Sequence, residues 1–167
     1  FPRVVPISVD GSTWANAGAS DSQELGAVLS AGVMWIRALV EAGIDINAVS
    51  SKLEFTLSAG PDQFLTTAKI RAARVCWARI VKACGGDPSV SPLFIHAETS
   101  QSMMTKTDSW VNMLRTTAAC FASAVGGADA ITVAPFDSVA GLANETGLRL
   151  ARNTQLILQE ETKLSSV

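Results

Sequence analysis

At 167 residues, 48% hydrophobic and 17% charged, the chain can bury one domain's core, which argues against intrinsic disorder. Lys and Arg number 13 against 15 Asp and Glu, a net charge of −2 with no basic run, so no nucleic-acid partner is expected. The longest apolar stretches are broken by Gly, Arg or Glu short of a membrane span, and no signal-peptide pattern opens the sequence. No membrane association and a cytoplasmic location are the expectations.

Phe1-Pro2-Arg3 stands directly before an apolar run and reads as a cut end. Val4–Val9 is the first strand-like run. Ser20 with Gln23 forms a capping box for a helix starting near Asp21, with Leu25, Leu29, Gly32, Ile36 and Leu39 at helical spacing and Gly43 as its stop. A short helical turn over Asp45–Ser50 leads to a second strand, Leu53–Leu57. The next helix begins at Pro61-Asp62, presents Phe64, Ala68, Ala72, Cys76 and Ile80 on one face, and stops at Gly85-Gly86. Leu93–His96 is the third strand. A helix from about Trp110 turns Val111, Leu114, Ala118, Phe121 and Val125 inward and stops at Gly126-Gly127. Ile131–Ala134 is the fourth strand, and a last helix carries Ala151–Glu161.

Strand and helix alternate about every forty residues, which predicts four consecutive βα units and a parallel sheet. Four such units are half of a (β/α)8 barrel. A flavodoxin-like sheet is the alternative, although Asp10-Gly11-Ser12-Thr13 lacks a glycine-rich phosphate loop. In a barrel, chemistry sits where strands end, here Asp10–Asn16, Ser58–Asp62, His96–Ser102 and Pro135–Ser138.

His96 could donate a hydrogen bond to a carbonyl or act as an acid. Thr99, Ser100 and Thr105 offer hydroxyls, but no second histidine exists to activate them. Glu98 and Asp137 could form a carboxylate pair across neighbouring strands; solvated carboxylates are the plainer reading. Met103-Met104 reads as core filling, and Lys69, Arg71, Arg74 and Arg79 as outer-face salt bridging. Cys76, Cys84 and Cys120 follow apolar helical patterns and read as reduced core thiols. With one histidine and no Cys-x-x-Cys pair, no metal site is expected.

The run Ala151–Glu161, Ala-Arg-Asn-Thr-Gln-Leu-Ile-Leu-Gln-Glu-Glu, carries an uncharged polar patch that a generic helix does not require. It resembles a signature of the cobalamin-dependent acyl-CoA mutases, the methylmalonyl-CoA mutase family. Ala17-Gly18-Ala19 with Gln23-Glu24-Leu25-Gly26, Phe64–Arg74 with Trp77-Ala78, His96–Ser100, Val111–Thr116 and Gly126–Asp129 are similar to family segments in the same order. The resemblance covers nearly the whole chain. It implies a substrate-binding barrel joined to a cobalamin-binding domain, and radical isomerisation of an acyl-CoA by adenosylcobalamin. On it, residues 1–167 are the C-terminal half of the barrel, with the cobalamin-binding domain absent.

The same resemblance implies pocket positions at Thr13, Asn16, His96, Glu98, Thr99, Ser100 and Ser138. Thr13 stands where catalytic subunits have a histidine that contacts the thioester carbonyl. Asn16 and Ser138 replace glutamates, Glu98 a glutamine, and Gln101-Ser102 a Gly-Trp pair. Lys52, Glu54 and Thr56 replace Arg, Ser and Phe of the CoA-binding run, and Glu54 would repel anionic CoA. Only His96 matches. The sequence has no Tyr and no Asp-x-His-x-x-Gly motif. The pattern resembles the small, non-catalytic subunit of heterodimeric mutases, whose partner is a catalytic large subunit. No catalytic residue is then retained, the piece alone is inactive, and it binds no cofactor of its own. The alternative is a barrel piece of a divergent catalytic acyl-CoA mutase with another substrate. Two open sheet edges and an uncovered apolar inner face would make the isolated piece self-associate.

Overall fold

The computed structural model describes residues 4–164; Phe1-Pro2-Arg3 lies outside them. Strands β1 (Ile7–Asp10), β2 (Leu53–Ala59), β3 (Phe94–Thr99) and β4 (Ala130–Thr132) form one open, all-parallel sheet in the order β1-β2-β3-β4. Helices α1 (Ser12–Asn16), α2 (Asp21–Glu41), α3 (Ile46–Ser50), α4 (Gln63–Ala83), α5 (Asn112–Gly126) and α6 (Glu145–Leu156) fill the connections. Sequential order is not the flavodoxin-like order, which reverses direction at a switch point. All four expected strands are present. β1 starts three residues later than expected, immediately after Pro6, which has no N–H for a ladder.

Period-two alternation divides the sheet into two faces. Leu53, Phe55, Leu57 and Ala59 of β2 and Ile95 and Ala97 of β3 are buried in the helix-covered core. Val28 and Ile36 of α2 and Ile70, Ala73, Trp77 and Val81 of α4 complete it. The Trp77 and Phe55 rings meet edge to face at 4.8 Å. Gly32 lets α2 come this close: a Cβ there would stand 2.7 Å from the Trp77 ring and 2.8 Å from Phe55. By length and composition α2 could cross a bilayer, but its Val28, Gly32 and Ile36 stripe is packed in this core.

The capping signals hold. Ser20 and Gln23 form the capping box, Asp45 and Asp62 cap α3 and α4, and Gly127 ends α5 at φ 85°. The inward faces of two helices differ from expectation. On α4 the buried residues are Thr66, Lys69, Ile70, Ala73, Trp77 and Val81, while Phe64 is 80% exposed. On α5 they are Asn112, Thr116, Ala119, Cys120, Ala122, Ser123 and Gly126, while Leu114 is 73% exposed. Each helix carries two stripes at helical spacing; on α4 the one with Ile70, Trp77 and Val81 is buried, and on α5 the smaller, more polar one is.

Lys69 is not an outer-face charge. It is buried, with Nζ 2.5 Å from Glu24 Oε2 and 2.6 Å from Asp21 Oδ1, joining α4 to α2. Arg74 donates to the carbonyls of Leu93 and Gly127 and to Asp129, and Arg71 to the Val125 carbonyl. These two arginines therefore tie α4 to the turn before β4. Of the cysteines only Cys120 is buried; Cys76 is half-buried and Cys84 exposed, and all three are free thiols. Met103 and Met104 are half-buried.

Candidate functional site

The sheet face opposite the core is polar, against the expectation of an apolar one. Ser8 and Asp10 of β1, Glu54, Thr56 and Ser58 of β2, His96 and Glu98 of β3, and Thr132 of β4 alternate onto it. Phe94 and Ala130 are its apolar members. The apolar residues of each strand are taken up by the helix-covered face, and alternation leaves the polar ones on the other.

Register sets these groups in rows. Asp10 pairs with Thr56, Thr56 with His96, and His96 with Ala130. Towards the carboxyl ends, Ser58 pairs with Glu98 and Glu98 with Thr132. His96 Nε2 and Thr132 Oγ1 are 2.7 Å apart, so the hydroxyl fixes the ring. Ser8 Oγ lies 3.5 Å from Thr56 Oγ1.

The other expected site residues lie at or just beyond the carboxyl ends of the strands. Thr13 and Asn16 are exposed on the five-residue α1. Thr99 is buried, and its hydroxyl accepts the Ala134 N–H at 2.7 Å. The Ser100 N–H donates to the Ala59 carbonyl, and its hydroxyl lies 2.7 Å from Ser102 Oγ. Ser138 opens a 3-10 turn after β4 and donates its N–H to the Pro135 carbonyl. Asp137 accepts the Asn144 N–H at 3.0 Å, which engages it in the loop before α6.

Asn112 is buried and fixes two of these loops. Its amide donates to the carbonyls of Thr105 and Phe136, and its oxygen accepts from the Thr105 N–H and Arg115. Beside it the Trp110 and Phe136 rings stack at 4.5 Å. The hydroxyls of Thr99 and Ser100 are thus spent on loop structure, and neither meets an imidazole. The arrangement can hold a proton at His96 and accept hydrogen bonds along a carboxylate-rich strip. Ser58 opens the expected strand-end segment Ser58–Asp62, and the alternation Leu53-Glu54-Phe55-Thr56-Leu57-Ser58 puts it on this face. Thr132 lies inside the expected strand Ile131–Ala134 and outside every expected site segment.

A cleft of about 360 Å³ lies away from this strip, beside β4. Cys120, Ile131, Gln155, Leu158 and Leu164 line it. It collects part of the polar run on α6, whose end loosens into a π turn over Ile157–Glu161.

The profile of the methylmalonyl-CoA mutase family matches residues 1–167. The chain belongs to the methylmalonyl-CoA mutase family. It is 48% identical over 167 residues to the methylmalonyl-CoA mutase small subunit of Streptomyces virginiae, covering all of this chain and 27% of that protein. Identity to the small subunit of Propionibacterium freudenreichii subsp. shermanii is 40% over 162 residues, 96% of this chain and 25% of that one. The large subunit of Porphyromonas gingivalis is 35% identical over 163 residues, 97% of this chain and 23% of that one. The chain therefore spans about a quarter of the length of the curated relatives it matches.

Proposed function

We infer that this chain is four βα units of the substrate barrel of a methylmalonyl-CoA mutase small subunit, with a structural role beside a catalytic large subunit. The identities of 48% and 40% to small subunits, against 35% to a large subunit, support the small-subunit reading. The observation that carries the structural role is the polar sheet face. It presents Asp10, Glu54 and Glu98, and none of its strand positions is Lys or Arg. Such a strip repels the phosphates of an acyl-CoA rather than seating them.

In this reading the open sheet is the C-terminal half of a (β/α)8 barrel. The rest of the barrel and the cobalamin-binding domain belong to a longer cytoplasmic protein that pairs as a heterodimer. The catalysed reaction interconverts methylmalonyl-CoA and succinyl-CoA, and adenosylcobalamin supplies the radical chemistry. The residues described here do not fit that cofactor. Thr13 and Asn16 lie exposed on a short helix, and the single imidazole of the chain is held by Thr132. Catalysis then rests on the large subunit, and this chain supplies surface and support. The free edges of β1 and β4 make the isolated chain prone to pair with copies of itself.

The test is turnover of methylmalonyl-CoA with adenosylcobalamin by the full small subunit, alone and with a large subunit. Activity only in the pair, with no saturable acyl-CoA binding to the small subunit, is the expected result. Turnover by the small subunit alone sinks the structural role and exposes a divergent catalytic mutase instead.

A further inference from the structure

Helices α4 and α5 are the basic part of an acidic chain. They hold six of its 13 Lys and Arg and none of its 15 Asp and Glu. Two of the six are answered, Lys69 by Asp21 and Glu24, and Arg74 by Asp129. Arg71 donates to the Val125 carbonyl and Arg115 to the Asn112 side-chain oxygen. Among the described residues no carboxylate pairs with Arg71, Arg79, Lys82 or Arg115. On α4, Phe64, Ala68, Arg71, Val75, Arg79 and Lys82 recur at three- and four-residue spacing, opposite the buried stripe of Ile70, Ala73, Trp77 and Val81. All six are exposed, Phe64 at 80% and Val75 at 54%. On the neighbouring α5, Leu114 is 73% exposed. A groove of about 220 Å³ between α2 and α4 is walled by Leu25, Leu65, Ala68 and Ala72.

This surface lies away from the open edges of the sheet. α4 packs between α2 and α5, and α5 between α4 and α6, so both helices have a neighbour on each side. In the barrel reading the remaining units adjoin α2 and α6 and leave the outer face of α4 and α5 uncovered. A second copy of the chain fits poorly, because a two-fold contact would set cation against cation. A nucleic acid would answer the charge but not the exposed Phe64, Val75 and Leu114. What fits is a protein surface with carboxylates around an apolar stripe, as an amphipathic helix presents. The proposed function supplies one protein partner, the catalytic large subunit. We propose that the outer face of α4 and α5 docks an acidic, amphipathic surface of that large subunit. Phe64, Val75 and Leu114 supply the apolar contact, and Arg79 and Lys82 the charge contact. The inference rests on the small-subunit reading and adds where the two subunits meet.

The experiment measures pairing of the full small subunit with its large subunit by isothermal titration calorimetry at low and high salt. Two double variants probe the face: Arg79→Glu with Lys82→Glu, and Phe64→Ser with Leu114→Ser. Each should weaken pairing at least ~10-fold, and the charge reversal should also flatten its salt dependence. The circular dichroism and melting temperature of the free small subunit should hardly change, since all four side chains are exposed. Unchanged affinity in either variant, with the unsubstituted subunits paired, would overturn the proposal and leave the small-subunit reading standing. A lowered melting temperature with unchanged pairing would assign the face to another segment of the small subunit and overturn it equally. So would binding of the free small subunit to phosphatidylserine vesicles that the charge variant loses while pairing persists. Failure of the unsubstituted subunits to pair would sink the small-subunit reading, and this proposal with it.

Discussion

Glu24 accepts the backbone N–H of Ser58 at 2.6 Å, a hydrogen bond from an α2 side chain to the end of a central strand. The reason lies in how β1 ends. Its ladder reaches Gly11, whose N–H donates to the Thr56 carbonyl, but the Gly11 carbonyl accepts from Trp14 and Ala15 of α1. No strand carbonyl is left for Ser58, and Glu24 Oε1 takes that place. The other oxygen, Oε2, accepts from Lys69 at 2.5 Å. Glu24→Ala would leave a buried N–H and a buried ammonium short of an acceptor. We predict a loss of about 3–5 kcal/mol in urea unfolding, a large share of a domain's usual ~5–15 kcal/mol. Glu24→Gln should cost less, because its amide oxygen can still accept from Ser58 and Asp21 still pairs with Lys69.

The same carboxyl gives a pH signature. Burial holds Glu24 above its ordinary value of 4.5, with the Lys69 charge and hydrogen bond opposing. A raised folded pKa means that the folded state binds this proton more tightly than the unfolded state does. The associated stabilisation is complete below pH 4.5 and is lost as pH rises through the folded value. The stability of the native chain minus that of Glu24→Gln should therefore fall as pH rises from about 4 and then level off. A difference that grows with pH in urea titrations would contradict the sign.

Gly32 sets the distance between α2 and the sheet. Its added Cβ would meet the rings of Trp77 and Phe55, and both rings are fully buried and cannot retreat. Gly32→Ala gains helix propensity of ~1 kcal/mol but forces the core apart, typically ~1–3 kcal/mol. Overpacking should prevail, with a lower melting temperature and a changed near-ultraviolet dichroism from Trp77. Gly26, on the same helix with open space around it, is the control: Gly26→Ala should stabilise.

What the sequence made legible follows from where single patterns are decisive. The strands were readable because each is a short apolar run between turn signals, and the helix stops because Gly43, Gly85 and Gly127 adopt positive φ. The inward faces of α4 and α5 were not. On α4, Phe64-Ala68-Ala72-Cys76-Ile80 and Ile70-Ala73-Trp77-Val81 both satisfy helical spacing. The second stripe is the one in the core, and Lys69 beside it is paired across to α2, a contact no periodicity reveals. The polar sheet face was written in the alternation of β2. Expecting an apolar face failed because burial on the helix side alone accounts for the apolar strand residues.

Thiol chemistry separates the three cysteines cleanly. Cys84, exposed just after α4, should react first with a disulfide reagent at pH 8, and half-buried Cys76 more slowly. Cys120 on α5 is buried at the wall of the cleft beside β4, and burial pushes its thiol up to about 11, so almost no thiolate forms at pH 8. Access and ionisation act in the same direction there, and labelling of Cys120 should wait for unfolding. Mass spectrometry of peptides after timed labelling, with and without urea, measures this order. Fast labelling of Cys120 in the native chain would mean that α5 is not seated as described.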